Sequence, residues 1–324
     1  MLNLGFIGTG WIVGAHLRAL ARCPDARVAA FCNPHVEKAQ ALAKERGAKA
    51  YADYRAMLDQ EKLDAVYVCL PPFAHQGQEE ELVRRGIPFL VEKPLGLDMA
   101  RQEAVGKMVA EKGLVTSVGY SFKYKELADQ GAEMLRGHTP ILVRGCWFSA
   151  MPGVYWWRKR DTCGGQIIEQ STHVFDILRA LFGEVEAVQG FANQGAMRGT
   201  SDYDVEDSSS INLRFRNGVV GNVCSAIYAP PQGEQFVVEV VCMDAALRLS
   251  FFDNRLSFRG PDGLRECECA GGEENFYKES RIFLDAVVSG DQAQIRSTYA
   301  DALKTQRLTF AAMAALRDGQ TVRL

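Results

Sequence analysis

Short apolar runs alternate with segments of helical periodicity over the first 118 residues of this chain. Strands and helices that alternate at this spacing are typical of a parallel, doubly wound sheet. One run, Ala65–Leu70, is almost wholly apolar, as expected for a strand that helices cover on both faces. The predicted strands are Leu2–Gly8, Arg27–Cys32, Ala65–Leu70, Pro88–Val91 and Val115–Val118. The predicted helices are Trp11–Ala21, Val36–Arg46, His75–Arg85 and Asp98–Glu111.

The pattern changes after about residue 120. Residues 185–258 are typical of antiparallel strands, with turns expected at Asn217-Gly218 and Asp253-Asn254. The other predicted elements are helix Lys123–Arg136, strand Ile141–Phe148, helix Gly165–Phe182, helix Glu274–Val288 and helix Ser297–Leu316. We therefore predict a Rossmann domain over 1–118 and an α+β domain over 119–324, whose C-terminal helix could pack back on the first domain. The second domain would have a large, mostly antiparallel open sheet, and its bare face predicts a homodimer or homotetramer.

Composition narrows the classes of function. A chain of 324 residues with 47% hydrophobic and 24% charged residues is typical of a two-domain globular protein. A net charge of −3 argues against nucleic acid or an anionic membrane as a partner. No targeting signal is recognised, and no window approaches a membrane-spanning apolar run. We therefore expect a cytoplasmic protein.

Nine cysteines are scattered along the chain, and several lie inside apolar strands. We interpret them as reduced thiols, most of which fill the core, in a reducing compartment. Cys267 and Cys269 are two residues apart in a polar segment, and the chain has no matching second pair. A metal site is the weaker alternative, so no metal is expected.

A glycine-rich turn follows the first predicted strand, at Gly8-Thr9-Gly10-Trp11-Ile12-Val13-Gly14. Gly8 permits a tight turn, Gly10 lets the backbone approach a pyrophosphate, and the helix N-terminus directs amides at the phosphates. Such a motif is weak alone, but here it lies between the first strand and helix of a βαβ unit. Val13 occupies the position of the motif's third glycine, which normally lets the helix pack closely on the strand. This departure weakens the case for such packing but does not affect phosphate binding by Gly8 and Gly10. The turn predicts binding of a dinucleotide.

The end of the second strand carries Asn33 where an acid would bind the adenosine ribose. Asn33 can hydrogen-bond a hydroxyl group but would not repel a 2′-phosphate, and His35 and Lys38 are close in sequence. The pattern therefore leaves NAD and NADP open as cofactors.

Two further segments carry candidate chemistry. Lys93 follows the predicted strand Pro88–Val91 and precedes Pro94, and the carboxyl ends of such strands face the ligand crevice. On a continuous helix, Glu169, His173 and Asp176 would share one face, and a carboxylate one turn from an imidazole can fix its tautomer. A surface lysine, a solvated polar stripe and a metal cluster are the alternatives at this stage.

Taken together, these segments resemble the Gfo/Idh/MocA oxidoreductase family, which includes glucose–fructose oxidoreductase and inositol dehydrogenases. The resemblance runs the length of the chain in six segments that keep the family's order. They are GFIGTGWIVGAH, CLPPFAH, VEKPL, VGYSFKY, GGQIIEQSTHVFDILRALFGEV and VEDSSSINLRFRNGVVG.

The resemblance implies a Rossmann domain followed by an α/β domain with a large open sheet that is often used for dimerisation. It implies that Lys93 and His173 are catalytic. It also implies that Glu169 takes the place of an aspartate in the family, whose side chain is one methylene shorter than that of glutamate. The residues expected to bind cofactor are Gly8, Thr9, Gly10, Trp11, Ile12, Asn33, Leu70, Pro71, His75, Glu92 and Lys93. The residues expected to bind substrate are Lys93, Tyr120, Trp156, Arg158, Glu169 and His173.

The implied reaction is hydride transfer between NAD or NADP and a secondary alcohol or ketone of a sugar, cyclitol or related polyol. One alternative is a redox-neutral lyase or glycosidase that keeps tightly bound NAD(H) and passes through a transient keto-sugar. A second alternative is a non-catalytic nucleotide-binding sensor, which would need neither Lys93 nor His173.

Overall fold

A computed structural model describes residues 1–324 except 152, 198 and 228–232. Its described residues form two compact units, 1–124 with 273–303 and 125–272 with 304–324. The sequence predicted a domain boundary between residues 118 and 119 and left open whether the C-terminal helix packs on the first domain. By their contacts, residues 273–303 group with the first unit.

The first unit is built on a six-stranded parallel sheet, in the order β3-β2-β1-β4-β5-β6. Its strands are β1 Leu2–Ile7, β2 Ala26–Cys32, β3 Lys49–Tyr51, β4 Ala65–Val68, β5 Phe89–Val91 and β6 Thr116–Val118. Its helices before residue 125 are α1 Trp11–Leu20, α2 Val36–Arg46, α3 Tyr54–Gln60, α4 Gln78–Arg85 and α5 Met99–Lys112. The order of the strands confirms the predicted doubly wound fold.

Burial explains why these strands lack alternation. Every residue of β4 and β5 is buried, because helices lie on both faces of the sheet. Helix α10, Glu274–Ser289, packs on α1, and Arg18 donates to Glu273 at 2.7 Å beside that contact. The sheet therefore keeps its strand ends, where the glycine turn lies, on a rigid and fully covered scaffold.

The second unit is built on a nine-stranded sheet, in the order β14-β13-β12-β11-β7-β10-β9-β8-β15. It is antiparallel except where β7 and β10 run parallel. Its strands are β7 Pro140–Ser149, β8 Val185–Asn193, β9 Ser208–Phe215, β10 Val220–Ile227, β11 Gln235–Cys242, β12 Ala246–Ser250, β13 Arg255–Gly260, β14 Gly263–Glu268 and β15 Val322–Arg323. Its helices are α6 Glu126–Met134, α7 Arg160–Cys163, α8 Gln166–Glu169 and α9 Thr172–Phe182, and α11, Tyr299–Asp318, runs from the first unit into the second.

One face of this sheet is covered and the other is open. Helices α6 and α9 pack on it, and residues along β9 alternate between buried and exposed. The predicted turns at Asn217-Gly218 and Asp253-Asn254 are confirmed, since β9 pairs with β10 and β12 pairs with β13 across them. The predicted large open sheet is therefore confirmed.

Three predicted helices begin or run differently in the structure. The helix predicted from His75 begins at Gln78, because Gly77 has a φ of 122° and a 3₁₀ turn, Pro72–Ala74, precedes it. The helix predicted from Lys123 is a 3₁₀ turn, Ser121–Tyr124, followed by α6. The helix predicted over Gly165–Phe182 is interrupted between α8 and α9.

No helix among the described residues is long and apolar enough to cross a membrane.

Candidate functional site

The glycine turn after β1 has the geometry of a phosphate cradle. Gly8 has a φ of 99°, and a Cβ there would lie 2.1 Å from the carbonyl oxygen of Cys69, so only glycine fits. Gly10 precedes α1, and a Cβ built on it meets nothing within 4 Å. The first turn of α1 carries no acidic residue. Open space at a helix N-terminus without a repelling charge fits the pyrophosphate of a dinucleotide.

Asn33 lies beside this turn, at the end of β2. Its amide Nδ2 donates to the hydroxyl of Thr9 at 2.7 Å, and its Oδ1 accepts the backbone N–H of His35 at 2.8 Å. Asn33, the predicted ribose contact, is therefore tied both to the glycine turn and to the residue that precedes α2.

Lys93 follows β5 at the same carboxyl edge of the sheet as the glycine turn, and its peptide bond to Pro94 is cis. Glu92, beside it, is buried and accepts from Nε2 of His16 on α1 at 2.7 Å. The second carboxylate oxygen of Glu92 accepts the backbone N–H of Lys93 at 3.2 Å. A Cβ on Gly119 would lie 2.5 Å from this carboxylate, so only a glycine leaves room for it. Glu92 therefore fixes the start of the Lys93 segment against the helix of the phosphate cradle.

The pairing of His16 with Glu92 had no signal in the sequence, because 76 positions separate the two residues. The imidazole of His16 is fully buried and packs edge-on against Tyr67 and Phe276, with ring centroids 5.2 Å and 5.5 Å away. The position of His16 on α1 could have indicated that its side chain is buried, but not that Glu92 is its partner.

His75, predicted to bind cofactor, is buried and forms an ion pair with Glu79 on α4. Burial by itself would raise the pKa of Glu79, but the charge and hydrogen bond of His75 outweigh burial and hold that pKa below its usual value. Arg101 donates to the carbonyl oxygen of His75 at 2.6 Å. The side chain of His75 is thus engaged inside the first unit, and its contact with cofactor stays a prediction.

The remaining first-unit candidates fall into two groups. Leu70 and Pro71 follow β4 at the carboxyl edge, while Trp11 and Ile12 open α1, with Trp11 exposed. Tyr120 is buried in the first unit's core, and its contact with substrate stays a prediction.

In the second unit, His173 lies on α9 and Glu169 ends α8, and both are buried. The predicted single helical face is wrong, because Gln170 and Ser171 interrupt the helix between them. The ring of His173 stacks on Trp147 of β7, with centroids 5.7 Å apart and planes 22° apart. This stack holds the imidazole plane, and no sequence pattern indicated it.

Asp176, which a metal cluster would have required, has a structural role. It accepts from the hydroxyl of Thr305 at 2.7 Å, and Arg179 donates to the same hydroxyl oxygen at 2.7 Å. Among the described residues, no group of three His, Cys, Asp or Glu side chains is arranged to hold a metal ion.

Glu206 holds the start of α8, the helix that ends in Glu169, and was missed as a candidate, although it lies in a segment that resembles the family. Its buried carboxylate accepts from Arg160 at 2.9 Å and from the backbone N–H of Ile167 at 3.2 Å. A Cβ on Gly165 would lie 2.9 Å from it, and Gly165 has a φ of 111°. The double glycine therefore allows α8 to begin directly on this carboxylate.

Trp156 and Arg158 lie in a half-buried 3₁₀ turn, Tyr155–Arg158. Their carbonyl oxygens accept from the hydroxyl of Thr162 at 2.6 Å and from the backbone N–H of Asp204 at 3.0 Å. The turn is thus fixed by its backbone, and the ring of Trp156 packs edge-on against that of Trp157, with centroids 5.5 Å apart. Pro152, which precedes this turn in the sequence, lies outside the described residues.

The matches to known families agree with this geometry. The family described as "Oxidoreductase family, NAD-binding Rossmann fold" matches residues 2–120, and the "GFO/IDH/MocA C-terminal domain" matches residues 139–248. This chain belongs to the Gfo/Idh/MocA oxidoreductase family. The prediction that this chain is an NAD(P)-dependent oxidoreductase is therefore confirmed. The open turn at Gly8 and Gly10 fits the cofactor.

Individual relatives are distant. The chain is 27% identical to the rhizopine catabolism protein MocA of Rhizobium meliloti, over 72% of this chain and 80% of that protein. It is 26% identical to the scyllo-inositol 2-dehydrogenase (NAD(+)) of Bacillus subtilis strain 168, over 74% of this chain and 71% of that protein. The solved structure of a levoglucosan dehydrogenase in complex with NADH shares its fold, with a TM-score of 0.90, 20% identity and coverage of 99% and 98% of the two chains.

Proposed function

We propose that this member of the Gfo/Idh/MocA family interconverts a secondary alcohol and a ketone on a sugar, cyclitol or related polyol. The observation that carries the proposal is Lys93, which Glu92 fixes at the same sheet edge as the glycine cradle. The names of the relatives, which include an inositol dehydrogenase, support a polyol as substrate.

In the proposed reaction, bound nicotinamide supplies the hydride acceptor or donor. His173 takes the hydroxyl proton of the alcohol as general base, and its stack on Trp147 restricts the direction of its ring nitrogens. The Lys93 ammonium donates to the same oxygen and stabilises the negative charge that develops on it. Glu169 acts as a positioning residue for His173.

The backbone-fixed turn that carries Trp156 and Arg158 suits carbohydrate recognition. An aromatic face packs against the C–H groups of a sugar ring, and a guanidinium donates to hydroxyl or carboxylate oxygens. We assign both residues to substrate binding on this ground.

The experiment that tests the function is a screen of sugars and cyclitols with NAD and with NADP, read by nicotinamide absorbance. Net, substrate-dependent reduction of the cofactor is expected. Cleavage of a glycoside by protein that retains its cofactor, with no net reduction, would instead favour the redox-neutral lyase or glycosidase.

Cofactor choice is predicted to depend on Asn33. In Asn33→Asp, one carboxylate oxygen can still accept from the N–H of His35 while the hydroxyl of Thr9 donates to the other, so the local structure is retained. The added charge repels a 2′-phosphate. We expect wild-type kcat/KM values for NAD and NADP within about two orders of magnitude of each other, and a shift toward NAD of about tenfold in the variant, chiefly through weaker NADP.

Asn33→Ala is the matched control, because it removes both side-chain hydrogen bonds of Asn33 without adding charge. The shift in Asn33→Asp should also shrink as salt is raised. An unchanged NAD/NADP ratio in Asn33→Asp would mean that residue 33 does not face the ribose.

We propose further that the open face of the second sheet joins two copies of the chain. Val241, Leu142 and Val220 are paired in register across three neighbouring strands, β11, β7 and β10. They are 42%, 45% and 47% exposed, so they form an exposed apolar row across the open face. Such a row is the kind of surface that a homo-oligomer buries.

Leu142→Glu is expected to lower the molar mass in solution from that of an oligomer to that of one chain, because it places a charge in the middle of this row. Light scattering after size exclusion measures the mass. Met243→Glu is the control, since Met243 is also exposed but lies outside the row. An unchanged mass in Leu142→Glu would place the interface elsewhere.

A further inference from the structure

One polar side chain of α1 is buried beneath the helix whose N-terminus forms the phosphate cradle. His16 lies six residues after Gly10, about 9 Å further along the helix axis. Its side chain is fully buried, and the rings of Tyr67 and Phe276 pack edge-on against it. This packing restricts the imidazole to one place and one orientation, so the ring can act as a fixed hydrogen-bond donor.

The hydrogen bonding of this ring is directed at Glu92. Nε2 of His16 lies 2.7 Å from one carboxylate oxygen of Glu92, while Nδ1 has no hydrogen-bond partner among the described residues. Glu92 is buried as well, and a buried carboxylate depends on protein donors because water does not reach it. The second donor is the backbone N–H of Lys93, at 3.2 Å from the other oxygen. Glu92 therefore connects His16 to the backbone of Lys93.

Close packing holds this carboxylate from other directions. Gly119 leaves it room, since a Cβ there would lie 2.5 Å from it. The thiol of Cys69 is also near, because Glu92 contributes, after burial, to raising the pKa of Cys69 well above its ordinary value. The carbonyl oxygen of Cys69 is the atom that excludes a side chain at Gly8. Glu92 thus lies among the strand ends that shape the glycine turn.

We infer that His16 is a positioning residue for Lys93, an inference that rests on the proposed catalytic role of Lys93. The imidazole holds one oxygen of Glu92, and the other oxygen holds the backbone of Lys93. These contacts fix Lys93 relative to the helix that receives the cofactor phosphates. Because His16 is fully buried, it acts through Glu92 and not on a reactant.

Loss of this connection affects turnover more than cofactor affinity. A displacement of about 1 Å in a catalytic group can cost about 100-fold in rate. The phosphates, in contrast, are held by the glycine turn and the first amides of α1, which the connection does not include.

Two amide variants separate the hydrogen bond from the loss of the ring. In His16→Gln, the amide nitrogen can reach the place of the imidazole Nε2, so Glu92 keeps its donor. In His16→Asn, the side chain is too short to do so. Both variants lose the ring packing on Tyr67 and Phe276, so both should have a lower Tm. We expect kcat to fall by about 10-fold to 100-fold in His16→Asn and only a few-fold in His16→Gln, with the Kd for NAD nearly unchanged in both.

The backbone amide of Lys93 provides a readout that needs neither substrate nor cofactor. Its hydrogen bond to Glu92 should weaken when the carboxylate loses His16, so its hydrogen exchange should quicken in His16→Asn but not in His16→Gln. Leu17→Ala is the control, because it removes buried apolar packing from the same helix. It should lower the Tm and leave both kcat and the exchange of Lys93 near the wild-type values.

Gly119→Ala tests the same connection from the other side and keeps His16. The backbone of Gly119 has no positive φ, so it can accept alanine, but the new Cβ forces the carboxylate of Glu92 to move. We expect a loss of kcat and a faster exchange of Lys93, as in His16→Asn. This variant decides the question if His16→Asn does not fold, since wild-type kcat in folded Gly119→Ala would contradict the inference.

Failure of this inference and failure of the proposed function give different results. Wild-type turnover in Lys93→Ala would overturn both. If Lys93→Ala is impaired, adding His16→Asn should lower kcat little further, because the ammonium that His16 positions is already absent. Wild-type kcat in His16→Asn, equal losses in the two amide variants, or fully additive losses in the double variant would overturn the role of His16 alone.

Discussion

Replacing Lys93 with alanine is expected to lower kcat by about 100-fold or more while leaving the Kd for NAD nearly unchanged. The reason is a separation of tasks, because the phosphates are held by the glycine cradle after β1, whereas Lys93 follows β5. Removing a donor that stabilises developing charge affects the transition state and not ground-state cofactor binding. Steady-state kinetics on the identified polyol, with a separate titration of NAD, measure both quantities.

Two variants serve as controls for this result. Lys107→Ala removes an exposed lysine of α5 and should change neither quantity. Gly10→Val should show the opposite pattern, since a side chain at Gly10 meets no protein atom within 4 Å yet fills the space that the phosphates need. We expect it to fold and to lose NAD affinity. Wild-type turnover in Lys93→Ala would refute the catalytic assignment of Lys93.

Replacing His173 with asparagine is expected to lower kcat/KM for oxidation by about 100-fold to 10,000-fold, the usual range for loss of a general base. In the wild type, kcat/KM should rise with pH through the neutral region, because only the neutral imidazole accepts a proton. This rise should disappear in the variant.

Glu169→Gln is the comparison variant for this prediction. It keeps a hydrogen-bonding group beside the α8–α9 break but removes the charge, so its loss of activity should be smaller than that of His173→Asn. Added chelator should have no effect on either protein. A wild-type profile that stays flat from about pH 5.5 to 9 would argue against His173 as the base.

The sequence predicted the parts of the fold that depend on local patterns. Apolar strands such as β4 and the glycine turn after β1 carry their own signals, since burial on both faces and a tight turn restrict residue type directly. Strand β3 and helix α3 were missed because a three-residue strand that is nowhere fully buried has too few positions to show a period.

Contacts at the site between residues far apart in the chain could not be predicted from local sequence patterns. The helical spacing of Glu169 and His173 could not reveal the interruption at Gln170, where hydrogen bonding to the carbonyl of Gln166 closes α8. The buried His16–Glu92 bond, the stack of Trp147 on His173 and the carboxylate of Glu206 at the start of α8 all join distant positions. One sequence alone contains no record of such pairs.

The central claim is that Lys93 and His173 promote hydride transfer from a polyol carbon to the nicotinamide. The most direct measurement follows deuterium from the carbinol carbon of the identified substrate by mass spectrometry of the reduced cofactor. We predict that each turnover places the deuterium in the cofactor, and that Lys93→Ala and His173→Asn each slow this transfer by about 100-fold or more. Deuterium that remains in the product or exchanges into water would contradict the account.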